Sequence, residues 1–238
     1  MTVNPVLANA GQETAIRSGR SKKQDLFEDP LNYLSRVLTK LFTIWAGLTY
    51  PFASIGRKVS IHYTCRLART RAHQIKIGNE VFVGKDVCLN VSALEEEDEP
   101  VLVIDDGAII NAWAHISAKN YVHIERDALI STGVLIQDHS HAYEDVTKPI
   151  SKQGITEGGR IRIEEGSWIG RSAAILCTKG ELVIGRNCVV AANAVVMRSC
   201  PPYSVVFGNP ARVIRRYDFS KNKWVLGSSA PADSQNDQ

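Results

Sequence analysis

Two hydrophobic periods divide the chain. From Leu31 to Leu48, the residues Leu31, Leu34, Val37, Leu38, Leu41, Phe42, Trp45 and Leu48 recur at steps of three and four, the spacing of one helical face. Asn32, Arg36, Lys40 and Thr43 interrupt the run, and a membrane span needs about 20 mostly apolar residues, so the pattern predicts a helical segment over 31–54 and no span. Packing on its own protein is the ordinary use of such a helix. An interfacial helix touching membrane through residues 31–50, or an oligomer contact, are the alternatives.

From Ile55 the period becomes six. A large aliphatic residue leads each unit: Ile55, Ile61 and Leu67, then Ile77, Val83 and Leu89, then Ile104, Ile110 and Ile116. The series continues through Ile124, Ile130 and Ile136, then Ile163, Ile169 and Ile175, and ends at Ile184, Val190 and Val196. Four places after most leaders stands a small or β-branched residue, such as Val81, Ala108, Ala128, Ala173 or Ala194. This gives about 18 hexads, or about six turns at three per turn. Physically the pattern is a triangular coil: each hexad supplies a short strand and a corner, the aliphatic points inward, and stacked turns pair in parallel. Cys65, Cys188 and Cys200 fall on the small fifth position and read as buried hydrophobes, while neither Cys88 nor Cys177 has a nearby His or basic cluster to activate it.

Composition narrows the picture. The chain has 238 residues with 44% hydrophobic but only 7% aromatic content, so aliphatic and small side chains must fill the core. A net charge of +3 without a long Lys/Arg block argues against nucleic acid as partner. Five cysteines without a CxxC argue against a disulfide framework and fit a cytoplasmic protein. Residues 1–30 read as a flexible polar arm without a secretory apolar core, and residues 217–238 as a flexible tail. The repeat domain spans 55–216.

The repeat breaks in two informative places. Leu94 to Pro100 carries an acidic run and reads as a solvated loop. A longer extruded loop, 137–160, opens with Gln137-Asp138-His139-Ser140-His141 and closes with Gly158-Gly159. A base at the rim of a rigid coil beside a loop able to fold over it is a plausible catalytic layout.

The repeat resembles the hexapeptide family of left-handed parallel β-helices, a mainly β fold. Asp138-His139-Ser140-His141, Trp168-Ile169-Gly170 and Gly208-Asn209-Pro210-Ala211-Arg212-Val213-Ile214-Arg215 resemble the motifs of its sugar O-acetyltransferase group, which includes maltose, galactoside and surface-polysaccharide acetyltransferases. The resemblance implies an acetyl-coenzyme A-dependent O-acetyltransferase with a sugar or glycoconjugate acceptor, a homotrimer and no metal. It places the catalytic histidine on His139. Attack by an alcohol requires removal of its proton in the transition state, and imidazole suits that task, typically contributing about 10²- to 10⁴-fold.

By the same resemblance Asn111, Asp138, His141 and Trp168 are expected at the acceptor and acetyl site. Ala173 and Ala192 are expected where the pantetheine runs along the later coils, with Arg198, Arg212 and Arg215 near the nucleotide phosphates. Asp138, Glu144 and Asp145 are alternative partners for orienting a histidine ring. The coil from Ile175 to Ile184 is longer than the family pattern and puts the local shape of that groove in question. Two rivals share the fold: a γ-type carbonic anhydrase holding zinc through some of His115, His123, His139 and His141, and a non-catalytic hexapeptide scaffold.

Overall fold

A computed structural model describes residues 30–92 and 99–226. The polar arm, the acidic run Glu95–Asp98 and the last twelve residues of the expected tail lie outside the described residues.

Helix α1 (Pro30–Thr49) comes first. Proline is tolerated at its first turn, where the missing N–H has no partner to lose, and Pro51 biases Tyr50 away from helical geometry at the other end. The helix is tied to the first coil through Thr43. Its hydroxyl accepts the Ile61 N–H at 2.9 Å, and its hydrogen is within reach of Thr39 O at 2.8 Å and Ile61 O at 3.1 Å.

Behind α1 stands a three-faced prism. The first face stacks Ser54–Ile55, Ile75–Ile77, Leu102–Ile104, Tyr121–Ile124, Gly158–Ile163 and Lys179–Ile184. The second stacks Ser60–Ile61, Phe82–Val83, Ile109–Ile110, Leu129–Ile130, Trp168–Ile169 and Val189–Val190, followed by Ser204–Gly208. The third stacks Arg66–Leu67, Cys88–Val91, His115–Ala118, Leu135–Gln137, Ala174–Leu176 and Val195–Val196. Every pairing between these coils is parallel and joins leader to leader, as in Ile61, Val83, Ile110, Ile130, Ile169 and Val190 on the second face. From the second coil to the fifth these leaders, with the residues four places after the first- and second-face leaders, are almost wholly buried, and the apolar ones among them form one continuous core.

The hexad's remaining positions follow from the corners. The residue three places after a leader adopts positive φ at corner after corner, as at Lys58, Asp86, Gly107, Asp127 and Asn187, which is why Gly, Asn and Asp recur there. Gly170 explains the glycine after Trp168-Ile169: a Cβ would sit 2.6 Å from Val190 O and 2.7 Å from Ala192 N of the next coil.

Residues 217–226, expected in the flexible tail, are instead ordered. Ala211–Asp218 pairs antiparallel with Ser204–Gly208, and Lys223–Leu226 pairs with Arg215–Asp218, closing the C-terminal end of the second face. Tyr203, Tyr217, Phe219 and Trp224 hold this hairpin through edge-to-face ring contacts.

The insertions share one corner. Leaders are six apart across the other two corners, whereas the longer steps from Leu67 to Ile77, Leu89 to Ile104, Ile116 to Ile124, Ile136 to Ile163 and Ile175 to Ile184 all pass from the third face to the first. That edge of the prism carries the candidate site.

Candidate active site

His139 follows the third-face strand Leu135–Gln137 at this corner and is only 8% exposed. Its Nδ1 lies 2.8 Å from Asp138 Oδ1, and Asp138 is wholly buried. A buried carboxylate must be compensated by donors. Here the backbone of the preceding coil supplies them: the Lys119 N–H at 2.8 and 3.0 Å from the two oxygens, the Asn120 N–H at 2.8 Å and the Tyr121 N–H at 2.9 Å. With Asp138 surrounded by donors, the ring nitrogen facing it donates, so His139 carries its proton on Nδ1. In the neutral ring Nε2 then holds the lone pair, and it makes no hydrogen bond among the described residues. Of the three candidate partners, the structure selects Asp138; Glu144 accepts the Tyr143 N–H, and Asp145 engages Thr147, Lys148 and Gln153.

The loop returns over this corner as a narrow hairpin. The Thr156 N–H donates to Ser140 O at 2.8 Å, the Ser140 N–H to Thr156 Oγ1 at 3.0 Å, and His141 bridges Ile155. Lys119 Nζ donates to Thr156 O at 2.7 Å and Glu157 O at 2.8 Å, and Asn120 Nδ2 donates to Glu157 O at 2.8 Å. Gly159 closes the hairpin by donating to Asp138 O at 2.6 Å; a Cβ on it would meet Cys177 Sγ at 2.4 Å. The long coil Ile175–Ile184 is accounted for as well: Lys179–Ile184 extends the first face and pairs residue by residue with Gly158–Ile163.

His141 is exposed on the hairpin. Asn111 sits at the corner between the second and third faces, with its side-chain amide donating to Ile130 O at 3.0 Å. Trp168 lies on the second face, 40% exposed, its Nε1 donating to Ser131 Oγ at 2.8 Å. Within one chain, therefore, the fold joins Asp138 to His139 but leaves Asn111 and Trp168 on other parts of the prism. Ala173 does not line a groove: its side chain is wholly buried in the core, its N–H donates to Gly170 O, and its carbonyl accepts the Leu135 N–H. Ala192 is exposed at its turn. Arg198 and Arg212 converge on a cavity of about 110 Å³ with Met197, Pro210 and Ala211, while Arg215 is exposed farther along the hairpin strand.

Lys119 and Asn120 escaped the sequence reading. Their only signal was position, at the break between Ala118 and Tyr121, where the third face hands over to the first. A polar ladder on the third face, Asn90, Ser117 and Gln137, also went unremarked; it runs coil by coil to the residue before Asp138, with Asn90 Nδ2 3.0 Å from Ser117 Oγ. On the first face, a cavity of about 450 Å³ is bounded by Asn120, Tyr121, His123, Asp105 and Arg160. His123 Nε2 is 2.7 Å from Asp105 Oδ2 there, and the Arg160 guanidinium stands 4.2 Å from the centre of the Tyr121 ring. No group of three potential metal ligands gathers among the described residues.

The cysteines occupy the places the hexads give them. Burial pushes the Cys65 and Cys200 thiols up to about 12 and raises Cys88 and Cys188 as well, the opposite of an activated nucleophile.

No family model matches the chain. A Mycobacterium tuberculosis protein named as an acetyltransferase is 32% identical over 188 residues, 78% of this chain and 56% of that protein. The Escherichia coli protein WbbJ, named as a lipopolysaccharide biosynthesis O-acetyltransferase, is 29% identical over 167 residues, 67% of this chain and 83% of its own length. The chain thus spans about half of the mycobacterial protein and most of the enterobacterial one. The crystal structure of a hexapeptide-repeat acetyltransferase from Vibrio cholerae, complexed with acetyl-coenzyme A, superposes with a TM-score of 0.50 at 25% identity, covering 61% of this chain and 73% of that one. The prism is a left-handed parallel β-helix. The chain is similar to proteins named as acetyltransferases and shares its fold with a hexapeptide-repeat acetyltransferase.

Proposed function

We propose that this chain transfers an acetyl group from acetyl-coenzyme A to a sugar hydroxyl, in the making of a surface polysaccharide or glycoconjugate. The observation that carries the reading is the buried Asp138–His139 pair, which leaves Nε2 as a base at a corner roofed by the 137–160 loop. His139 removes the hydroxyl proton as the oxygen attacks the thioester carbonyl, the oxyanion is met by N–H donors, and coenzyme A leaves as thiolate. No acyl-enzyme is needed. Arg198 and Arg212 suit the nucleotide phosphates, since guanidinium groups pair their donors with phosphate oxygens. The name of the E. coli relative supports O-acetylation of a sugar, and the acetyl-coenzyme A in the V. cholerae structure supports the donor.

A homotrimer is part of the proposal. The outward positions of the second face read Phe82, Ile109, Leu129, Trp168, Val189 and Val205, an apolar ladder fit for a neighbouring copy, and only a neighbour brings Asn111 or Trp168 to another chain's His139. The expected location is cytoplasmic, with peripheral membrane contact through residues 31–50; among the described residues no helix is long and apolar enough to cross a membrane. The test is an acceptor screen with radiolabelled acetyl-coenzyme A. Label moving to a sugar supports the reading; zinc-dependent carbon dioxide hydration without acetyl transfer, or no acetyl-coenzyme A binding, overturns it.

A further inference from the structure

Helix α1 is docked with its apolar side outward. Its prism-facing side is mostly small or polar: Ser35, Thr39, Thr43 and the wholly buried Ala46, with Phe42 packed against the core. The opposite side presents Leu34, Val37, Leu41, Ile44, Trp45 and Leu48, with Leu41 59% and Leu48 81% exposed. A helix that settles against its own protein normally does the reverse. Exposed apolar stripes of this length mark a contact still to be made.

Charge identifies the partner. Between Pro30 and Asn79 the chain carries eight Lys and Arg residues and no Asp or Glu, although the whole molecule is only +3. Arg36 and Lys40 flank the stripe on α1, Arg57 stands at one corner of the first coil beside Lys58, which pairs with Glu80 at 2.6 Å, and Arg69 and Arg71 stand at another corner. Arg69 lies 5.9 Å from the Trp45 ring centre and 5.1 Å from that of Tyr50, joining the basic corner to the aromatic end of the stripe. A symmetric pairing of two copies through this end would oppose like charge to like. An anionic lipid surface satisfies both features, taking the apolar stripe at the headgroup boundary and the cations at the phosphates.

We propose that α1 and the basic first coil seat this protein on an anionic membrane surface, helix axis in the plane of the interface and prism standing away from it. In a cyclic trimer whose threefold runs along the prisms, three such ends share one side and bind together. The proposal rests on the peripheral contact in the preceding reading and not on its transfer chemistry, so vesicle binding and acetyl transfer fail separately.

The test is co-sedimentation of the full chain with vesicles of phosphatidylcholine alone or with about 30 mol% phosphatidylglycerol, using wild type, Leu41→Gln/Leu48→Gln and Arg69→Gln/Arg71→Gln. The expected result is binding at least about tenfold tighter to the anionic vesicles, since each basic side chain near such a surface adds to affinity. The leucine variant should lose that binding with circular dichroism unchanged, because both side chains are exposed, and the arginine variant should weaken it and lower its salt dependence. Equal binding to neutral vesicles, or binding that survives the leucine substitutions, overturns the proposal. So does a wild-type protein that ignores vesicles, whether the leucine variant then loses oligomeric mass, identifying the stripe as a contact between copies, or vesicle binding appears on removal of residues 1–29, identifying that segment as its cover.

Discussion

Replacing Asp138 by asparagine separates the tautomer argument from the packing argument. Oδ1 of Asp138 serves His139 Nδ1 and one branch of the Lys119 N–H, while Oδ2 serves the other branch, Asn120 and Tyr121. If the new amide nitrogen took the Oδ2 place, the Asn120 and Tyr121 N–H groups would face a donor. At about 1–3 kcal/mol for each buried orphan, that orientation costs about 2–6 kcal/mol. With the nitrogen at the Oδ1 place, Lys119 keeps its second branch and only the His139 N–H loses its acceptor. The second orientation wins, and the ring responds by moving its proton from Nδ1 to Nε2. The variant therefore folds but presents N–H where a base is needed, and turnover should fall by the order of 10³- to 10⁴-fold, as when the same change traps the wrong tautomer in hydrolase triads. Alanine is a poorer probe, because three orphaned N–H groups would cost about 3–9 kcal/mol, a large share of a typical domain's stability. The assay is nitrogen-15 NMR of labelled histidine beside release of coenzyme A thiol. An Nε2–H already present in the wild type, or turnover within about tenfold of wild type in Asp138→Asn, would refute the reasoning.

Three further outcomes follow from burial and charge. Gln74 is wholly buried with neither side-chain polar atom hydrogen-bonded among the described residues, so Gln74→Met should raise the unfolding free energy by about 1–2 kcal/mol in urea titration; a loss of stability would show that the amide has a partner. Cys65 and Cys200 should resist iodoacetamide at pH 8 in the native protein and react only on unfolding, as mass spectrometry of labelled peptides reads; native labelling would contradict their burial. Burial holds His62 below the ordinary histidine range, and its Nδ1 accepts the Thr64 N–H, so the unfolded chain binds the proton more tightly than the folded one. That contribution is complete above about pH 6.5 and is lost as pH falls toward the folded value, so stability should drop on acidification from pH 7 to about pH 5, with a shallower slope in His62→Gln.

The prism was legible because one rule repeats: each leader fills the same slot on its face, so a six-residue period carries the register from Ile55 to Val196 without knowledge of any contact. A motif singled out His139, and the carboxylate that the fold sets against its ring stood next to it. The rest of the site depends on which coil lies beneath which. Nothing local to Lys119, Asn120 and Tyr121 announces that their N–H groups cradle a carboxylate seventeen to nineteen positions away; the pairing appears only when Tyr121–Ile124 is stacked under Gly158–Ile163. Ala173 shows the converse error. Its small side chain suits a groove or a core corner equally well, and the hexad position that marked it as core was outweighed by the family motif. The helical stripe of α1 was read correctly as a stripe, but period alone does not say which side meets the prism, and the Thr43 contacts reverse the usual choice.

The central claim is that His139 is the base of a direct transfer. Single-turnover reaction of radiolabelled acetyl-coenzyme A with an acceptor found in the screen, comparing wild type with His139→Ala, tests it most directly. The account predicts label passing to the sugar without a labelled protein intermediate, at least about 10²-fold slower in the variant, with acetyl-coenzyme A affinity little changed. A variant that transfers at the wild-type rate, or label held covalently on the protein, would contradict it.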